Sequence, residues 1–222
     1  TVEHDYKLVE SNEDIKALVE HLSKGKQFVF DTETTNIDVY NAELVGVSFA
    51  IKAHEAWYLP MPAEREECQK KLELLRPLFE DESILKIGQN LKYDISMLSQ
   101  YGINVKGPMF DTMLAHYLLE PEQRHNMDYL AEVYLNYLTI PIEDLIGKGR
   151  QQKTMREVPI EQVKEYAAED ADITLQLYEK LLPLLKENGV EKLFYDIEMP
   201  LVPVLSRMEA NGVKIDTRNL QQ

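Results

Sequence analysis

Phe28-Val29-Phe30 runs directly into Asp31-Thr32-Glu33-Thr34-Thr35: three bulky β-formers, then two carboxylates one residue apart. A short unbroken apolar run of this kind predicts a buried central strand. Side chains alternate between faces along a strand, so Asp31 and Glu33 point one way and Thr32 the other. Packing gives no reason for two carboxylates to converge at the end of a buried strand, because buried charge without a partner is costly. A divalent cation with oxygen ligands is the partner that fits.

The elements around this strand follow from periodicity and turn chemistry. Residues 6–9 alternate and predict an edge strand. Ser11-Asn12-Glu13-Asp14 resembles a capping box, and Ile15, Leu18, Val19 and Leu22 follow at helical spacing. Residues 44–51 and 56–59 predict two strands joined as a hairpin, which makes the first part of the sheet antiparallel. Residues 62–79 predict a helix and 84–88 another short strand. Further helices are predicted over 90–101, over 111–119 up to Pro121, over 126–137, and over 159–185 up to Asn188-Gly189. A new amphipathic pattern starts at Glu191 and runs through Met199, Val202, Leu205 and Met208. Strands early and helices late give an α/β class, a mixed sheet with helices on both sides.

Bulk properties leave the substrate open. The 222 residues suffice for one large domain or for one domain and part of another. A first residue other than Met and an end without a terminating signal suggest a piece of something longer. The single cysteine, Cys68, excludes an intrachain disulfide and a Cys-rich zinc site. The five histidines show no metal-binding spacing, no apolar run is long enough to span a bilayer, and a reducing cytoplasm is the expected compartment. A formal net charge of −15 argues against nucleic acid, whose affinity usually rests on Lys and Arg at the phosphates. That objection weakens if acidic residues hold metals, since bound cations reverse the local field.

Two later stretches carry carboxylates that can join Asp31 and Glu33. Asn90-Leu91-Lys92-Tyr93-Asp94 follows the strand 84–88 at once and places Asp94 in the first turn of a helix. Active-site groups of α/β folds collect at such positions. Taken alone, Asp94 also reads as an aspartate favoured by the helix dipole. In Tyr166-Ala167-Ala168-Glu169-Asp170-Ala171-Asp172, Tyr166 and Asp170 share one helix face at i and i+4. Asp172 lies about 200° round the helix from Asp170. Glu169 and Asp172 are therefore expected to face solvent or neighbouring helices. Taken alone, Tyr166 reads as a core tyrosine with a satisfied hydroxyl.

In order, an Asp-x-Glu ending a strand, an Asn-x-x-Tyr-Asp after a later strand and a Tyr-x-x-x-Asp on a late helix resemble the three exonuclease motifs of the DEDD superfamily, tyrosine subclass. Residues 88–94, Phe110-Asp111-Thr112-Met113, Gly147-Lys148-Gly149 and residues 166–177 are similar to the 3′–5′ proofreading domain of family A bacterial DNA polymerase I. Residues 197–215 resemble the start of that family's polymerase domain, which implies an exonuclease domain over 1–190 and a truncated polymerase segment over 191–222. The resemblance implies an RNase H-like mixed sheet flanked by helices. It implies two divalent ions, magnesium first, with manganese or zinc as alternatives. The implied substrate is the 3′ end of single-stranded or frayed DNA, cut to release nucleoside monophosphates.

Carried over motif by motif, Asp31, Glu33 and Asp170 hold the first ion. Asp31 bridges to the second, which Asp94 binds largely through water, and Tyr166 orients the attacking water. Thr34, Ile37, Gln89, Asn90, Tyr93 and Arg124 match family positions near the terminal nucleotides, Ile37 as an apolar wedge. Ile142 stands where many relatives have a bulky aromatic. The basic loop from Lys148 to Lys153 either tracks the DNA backbone or is simply solvated. An RNase D-like exoribonuclease shares the three motifs, and the segment from Glu191 weighs against it. A catalytically silent module that steers DNA is the other rival, and the full set of carboxylates weighs against that.

Overall fold

Strand β2 (Gln27–Thr34) lies inside a sheet of six strands among the described residues, with β1 (Asp5–Leu8), β3 (Leu44–Lys52), β4 (Glu55–Pro60), β5 (Leu85–Gly88) and β6 (Met109–Asp111), in the order β1-β4-β3-β2-β5-β6. The structure is a computed structural model that describes residues 2–216. Thr1 and residues 217–222, the last part of the C-terminal segment, lie outside the described residues. Strands β2, β3 and β4 pair antiparallel, while β1 on β4, β5 on β2 and β6 on β5 pair parallel. The fold is α/β with a mixed sheet, as the sequence predicts. Pairing of β2 with β5 stops at Val29↔Ile87, whereas pairing with β3 continues to Thr34↔Leu44. The acidic end of β2 thus overhangs β5 and offers a free backbone edge.

Helices cover both faces: α1 (Asn12–Ser23), α2 (Arg65–Glu73), α3 (Arg76–Phe79), α4 (Leu91–Gln100), α5 (Thr112–Leu119), α6 (Met127–Leu130), α7 (Ile142–Ile146), α8 (Ile160–Glu187), α9 (Glu191–Leu193) and α10 (Met199–Asn211). One face of β2 buries Phe28 and Phe30 against Phe49 and Phe79, with ring centroids 5.0 Å apart for Phe30 and Phe79. Truncating such a core phenylalanine to alanine costs about 3–5 kcal/mol. The other face carries Val29, Asp31 and Glu33 and is covered by α8. The fully buried Ala167, Ala168 and Ala171 let that helix lie close to the strands.

Four elements differ from expectation. The helix over 62–79 is split into α2 and α3, because Pro77 in the first turn of α3 lacks an N–H and its ring collides with a helical carbonyl four residues back. Strand β6 and helix α7 were not expected: β6 has three residues, and α7 has five, none of them buried. The helix over 126–137 is α6 followed by a π-helical turn, Ala131–Leu135, which stops at Asn136 in the left-handed region.

After Glu191 the chain stays on the same core. Phe194 packs on Phe110 with centroids 4.8 Å apart, and Met199 and Val202 are buried with the main cluster. Helix α10 lies on α4, where Ser96 Oγ and Ser206 Oγ are 2.7 Å apart and Lys92 pairs with Glu209. Among the described residues no helix is long and apolar enough to cross a membrane.

Candidate active site

The end of β2 and the middle of α8 meet at three carboxylates. Asp31, Glu33 and Asp170 each offer an oxygen, and these oxygens lie within 4.8 Å of one another. Strand alternation puts Asp31 and Glu33 on the α8 side, and Ser48 and Gly46 of β3 stand directly opposite them. A Cβ on Gly46 would come within 2.3 Å of the Tyr58 ring, so glycine there leaves room for the tyrosine to pack at the base of the site. Glu33 and Asp170 are buried, while Asp31 keeps some exposure. Glu33 Oε1 is buried with no hydrogen-bond partner, and so is Ser48 Oγ.

Crowding of negative charge dominates the electrostatics. Burial pushes the Asp31 carboxyl up to about 7. Glu33 is raised by burial and then by the charge of Asp31. Asp170 is raised by burial, then by Asp31 and Glu33, and the Tyr166 hydroxyl pulls it part of the way back. The Tyr166 phenol is pushed well above its ordinary range by burial and by Asp170, Glu33 and Asp31, so it remains a hydroxyl. An orphaned buried carboxylate oxygen and three hard oxygen donors at mutual ligand distance fit a divalent cation, which would reverse this local field.

Asp94 is placed separately. It sits on α4, buried, and its Oδ1 accepts both the Thr32 N–H (3.1 Å) and the Thr32 Oγ1–H (2.5 Å). That N–H is free because β2 overhangs β5. Thr32, pointing away from Asp31 and Glu33, is thus the residue that docks the second motif onto the first. Asp31 is near enough for its charge to raise Asp94 further after burial has done so, and the two Thr32 bonds oppose the shift. Asp94 is not part of the three-carboxylate cluster but borders it.

Beside the cluster lies a cleft of about 750 Å³ lined by Thr34, Ile37, Asn90, Tyr93, Ile142 and Lys153 among others. Ile37 is 95% exposed at its rim. Tyr93 Oη donates to Asn36 O (2.5 Å) and lies 2.6 Å from Thr34 Oγ1, which fixes the turn after β2. Gln89 does not line the cleft: its amide donates to His125 O (2.8 Å) and its oxygen accepts from Thr112 Oγ1. Arg124 lines a different groove, of about 580 Å³, with Asn126, Asp128 and Tyr129. Of the basic loop, Gln152 and Lys153 reach the cleft, whereas Lys148 pairs with Glu143.

The far wall of the cleft, Gln152 to Met155, is anchored by a residue that sequence reasoning missed. Arg156 donates to Met61 O (3.1 Å) and Leu44 O (2.7 Å), tying the wall to the strand beside β2. Thr154 and Glu157 form a capping box in the same turn. That pair was visible in the sequence as a Thr-x-x-Glu; the partners of Arg156 were not, since they are backbone carbonyls about a hundred residues away.

Glu169 and Asp172 require a correction. They do not face solvent; both are buried. Glu169 accepts from Tyr137 Oη (2.6 Å) and Ile140 N (2.7 Å), and Asp172 from Tyr6 Oη (2.7 Å) and His54 N (2.9 Å). They fasten the back of α8 to β1, to the β3–β4 turn and to the segment leading into α7. Angular position on the helix separated them from Asp170 correctly, but periodicity could not show that strands and loops wait on that side with donors.

A family model described as 3′–5′ exonuclease matches residues 6–186. The chain is 43% identical to DNA polymerase I of Pseudomonas aeruginosa, with 98% of this chain and 25% of that protein covered. It is 36% identical to DNA polymerase I of Borreliella burgdorferi, with 97% and 24% covered. It spans about a quarter of the length of the curated relatives it matches. Among solved structures it resembles Brucella melitensis NrnC with bound Mg2+ (TM-score 0.73, 20% identity, 95% of each chain). It also resembles the POL domain of Pol1 from M. smegmatis in complex with DNA primer-template and dNTP (TM-score 0.76, 21% identity, 97% of this chain and 34% of that one). At those identities the likeness is one of fold.

Proposed function

Since the chain belongs to the 3′–5′ exonuclease domain family of bacterial DNA polymerase I, we propose that it hydrolyses the 3′-terminal phosphodiester of single-stranded or frayed DNA and so proofreads for a covalently linked polymerase. Residues 1–190 form the exonuclease domain in this reading, and 191–222 begin the polymerase domain. The bacterial cytoplasm is its place of work. The observation that carries the proposal is the convergence of Asp31, Glu33 and Asp170 with a buried, unpaired Glu33 oxygen.

Asp31, Glu33 and Asp170 would hold one divalent ion, and Asp31 with Asp94 a second. Bound there, such ions supply an activated water and a counter-charge for the leaving 3′ oxygen. The chain's own groups provide the rest. Thr32 fixes Asp94 through two hydrogen bonds to one oxygen, so the other oxygen takes no part in holding the helix. Tyr166, kept as a hydroxyl by burial and by the carboxylates around it, orients water rather than taking its proton. Ile37 at the rim wedges against the terminal base, and Thr34, Asn90 and Tyr93 line its path. With a net charge of −15 the chain has little long-range pull on phosphates, so binding favours frayed ends held at the last nucleotides.

Labelled single-stranded DNA and RNA, incubated with magnesium, with manganese and with excess chelator, provide the test. A 3′ ladder on DNA that needs metal and disappears in chelator is expected. Full activity in chelator would sink the metal mechanism, a stronger ladder on RNA would favour the exoribonuclease, and no ladder in any metal would leave a silent module.

A further inference from the structure

The Phe110-Asp111-Thr112-Met113 stretch has no task in the reaction proposed above, yet it holds a further buried carboxylate at the edge of the site. Asp111 is 1% exposed and ends β6, in register with Gly88 at the end of β5. Its Oδ1 accepts from Met113 N (2.9 Å) and Leu114 N (3.3 Å), which caps its own helix, α5. The same oxygen accepts from Asn90 N (3.1 Å), and Oδ2 accepts from Leu91 N (2.8 Å). Those two N–H groups open α4, the helix that carries Tyr93 and Asp94.

Helix α4 has no side-chain cap of its own. Asn90 occupies its N-cap position in the left-handed region, φ 67°, and makes no side-chain cap bond. An asparagine tolerates that conformation better than most residues, but the turn still needs something to hold it. Gly88 allows the chain to double back, because a Cβ there would stand 2.4 Å from Leu91. Thr112, next to Asp111, shares its one hydroxyl proton between Gly88 O (3.1 Å) and Gln89 Oε1 on the same turn. The turn into α4 is therefore gripped from outside, by the last residue of β6 and the one after it.

We propose that Asp111 is a positioning residue for the exonuclease reaction: by capping α4 from the neighbouring strand, it sets the direction of that helix and so the placement of Asp94 against Thr32 and Asp31. The inference rests on the function proposed above. One carboxylate with two acceptor oxygens is needed for two helix starts, and this is a requirement that an ordinary N-cap does not have. Asparagine at this position keeps one oxygen for Asn90, Met113 and Leu114 but turns an NH2 towards the Leu91 N–H, donor against donor. Serine is a good cap for α5 but is too short to serve α4 as well.

The test uses Asp111→Asn and Asp111→Ser in the whole chain, with Ser11→Ala as control, since Ser11 caps α1 through Asp14 N and lines no part of the cleft. Steady-state hydrolysis of single-stranded DNA, Mn2+ titration by calorimetry without DNA, and thermal melts are measured on each. In both Asp111 variants kcat falls on the order of 10²-fold, as expected for a displaced catalytic group, while KM changes little. The Mn2+ needed for half-saturation rises about tenfold, the usual result of losing a partner behind a ligand. Ser11→Ala lowers the melt and moves neither quantity. Wild-type kcat and Mn2+ affinity in Asp111→Ser would overturn the inference and leave Asp111 as a plain cap, even if Asp111→Asn failed to fold. A wild-type chain that neither hydrolyses DNA nor binds Mn2+ would overturn the functional proposal, and this inference with it.

Discussion

Helix α8 carries three buried carboxylates within four residues, and its two sides treat them in opposite ways. At the back, Glu169 and Asp172 each receive two or more hydrogen bonds, from Tyr137, Ile140 N, Tyr6, His54 N and Gln176. At the front, Asp170 faces Asp31 and Glu33, with Tyr166 as its hydrogen-bonding neighbour, and Glu33 Oε1 has no donor. Burial penalises charge on both sides. The back offsets the penalty with donors and thereby holds the fold together. The front leaves it standing, so its carboxylates hold on to protons there, and a bound cation would offset the charge in their place. On this helix, the number of donors separates Glu169 and Asp172 from Asp170 more sharply than burial does, since all three are buried.

The comparison breaks most visibly in activity. Asp170→Ala is expected to lower kcat by at least ~10³-fold, because a bound cation is worth several kcal/mol to the transition state. Glu169→Gln should stay within about tenfold of wild type, since it keeps shape and touches no reacting group. Equal losses in single-turnover rates would mean that the two sides of α8 are not distinct. Tyr166→Phe should fall between them, at roughly 10²-fold or less, because a hydroxyl that only orients water contributes less than a ligand. A loss as large as that of Asp170→Ala would assign the tyrosine a different task.

In stability the order reverses. Asp172→Ala, measured in chelator, should cost about 1–3 kcal/mol by leaving the Tyr6 hydroxyl and the His54 N–H without their acceptor. Asp170→Asn should cost nothing or stabilise, because it removes repulsion and its amide oxygen can still accept from Tyr166. Urea titrations of both variants decide this, and a larger loss from Asp170→Asn would show that the front is held by bonds after all.

The sequence made the front of the site more legible than the back. Strand alternation placed Asp31 and Glu33 on one face, and helical spacing put Tyr166 beside Asp170, because both periodicities are local properties of the chain. The central strand was equally plain from Phe28-Val29-Phe30. What failed was whatever depended on distant partners. Glu169 and Asp172 look like surface acids until Tyr6, His54 and Ile140 arrive from elsewhere in the fold. Gln89 stands beside a motif residue in the sequence, yet its side chain is held by His125 and Thr112 and does not line the cleft. Strand β6 is too short for a period-2 signal, and its identity comes from pairing with β5. Asp111 stood out in the sequence only as part of a resemblance; its grip on α4 is a contact across 20 residues.

The smallest expected effect tests the front of the site directly, through pH. Burial holds the Asp31 carboxyl at about 7, against 3.8 for a free one. Between those values the folded, metal-free chain keeps a proton that the unfolded chain has lost. Stability then falls as pH rises through that window: it is greatest below about 4 and levels off above about 7. Asp31→Asn cannot lose that proton. In chelator it should melt with the wild type near pH 4 and above it at pH 8, by an amount of order 1 kcal/mol. Some slope remains in the variant, because burial also raises Glu33, Asp94 and Asp170. Saturating magnesium should reverse the order at pH 8. A cation favours the charged carboxylates and stabilises by mass action only a chain that still binds it, by about 2.7 kcal/mol at a hundred times the dissociation constant. Paired melts at pH 4, 6 and 8, in chelator and in magnesium, measure all of this. If Asp31→Asn melts below the wild type in chelator at pH 8, hydrogen bonds already offset the charge of Asp31, and the front of α8 is satisfied in the same way as its back.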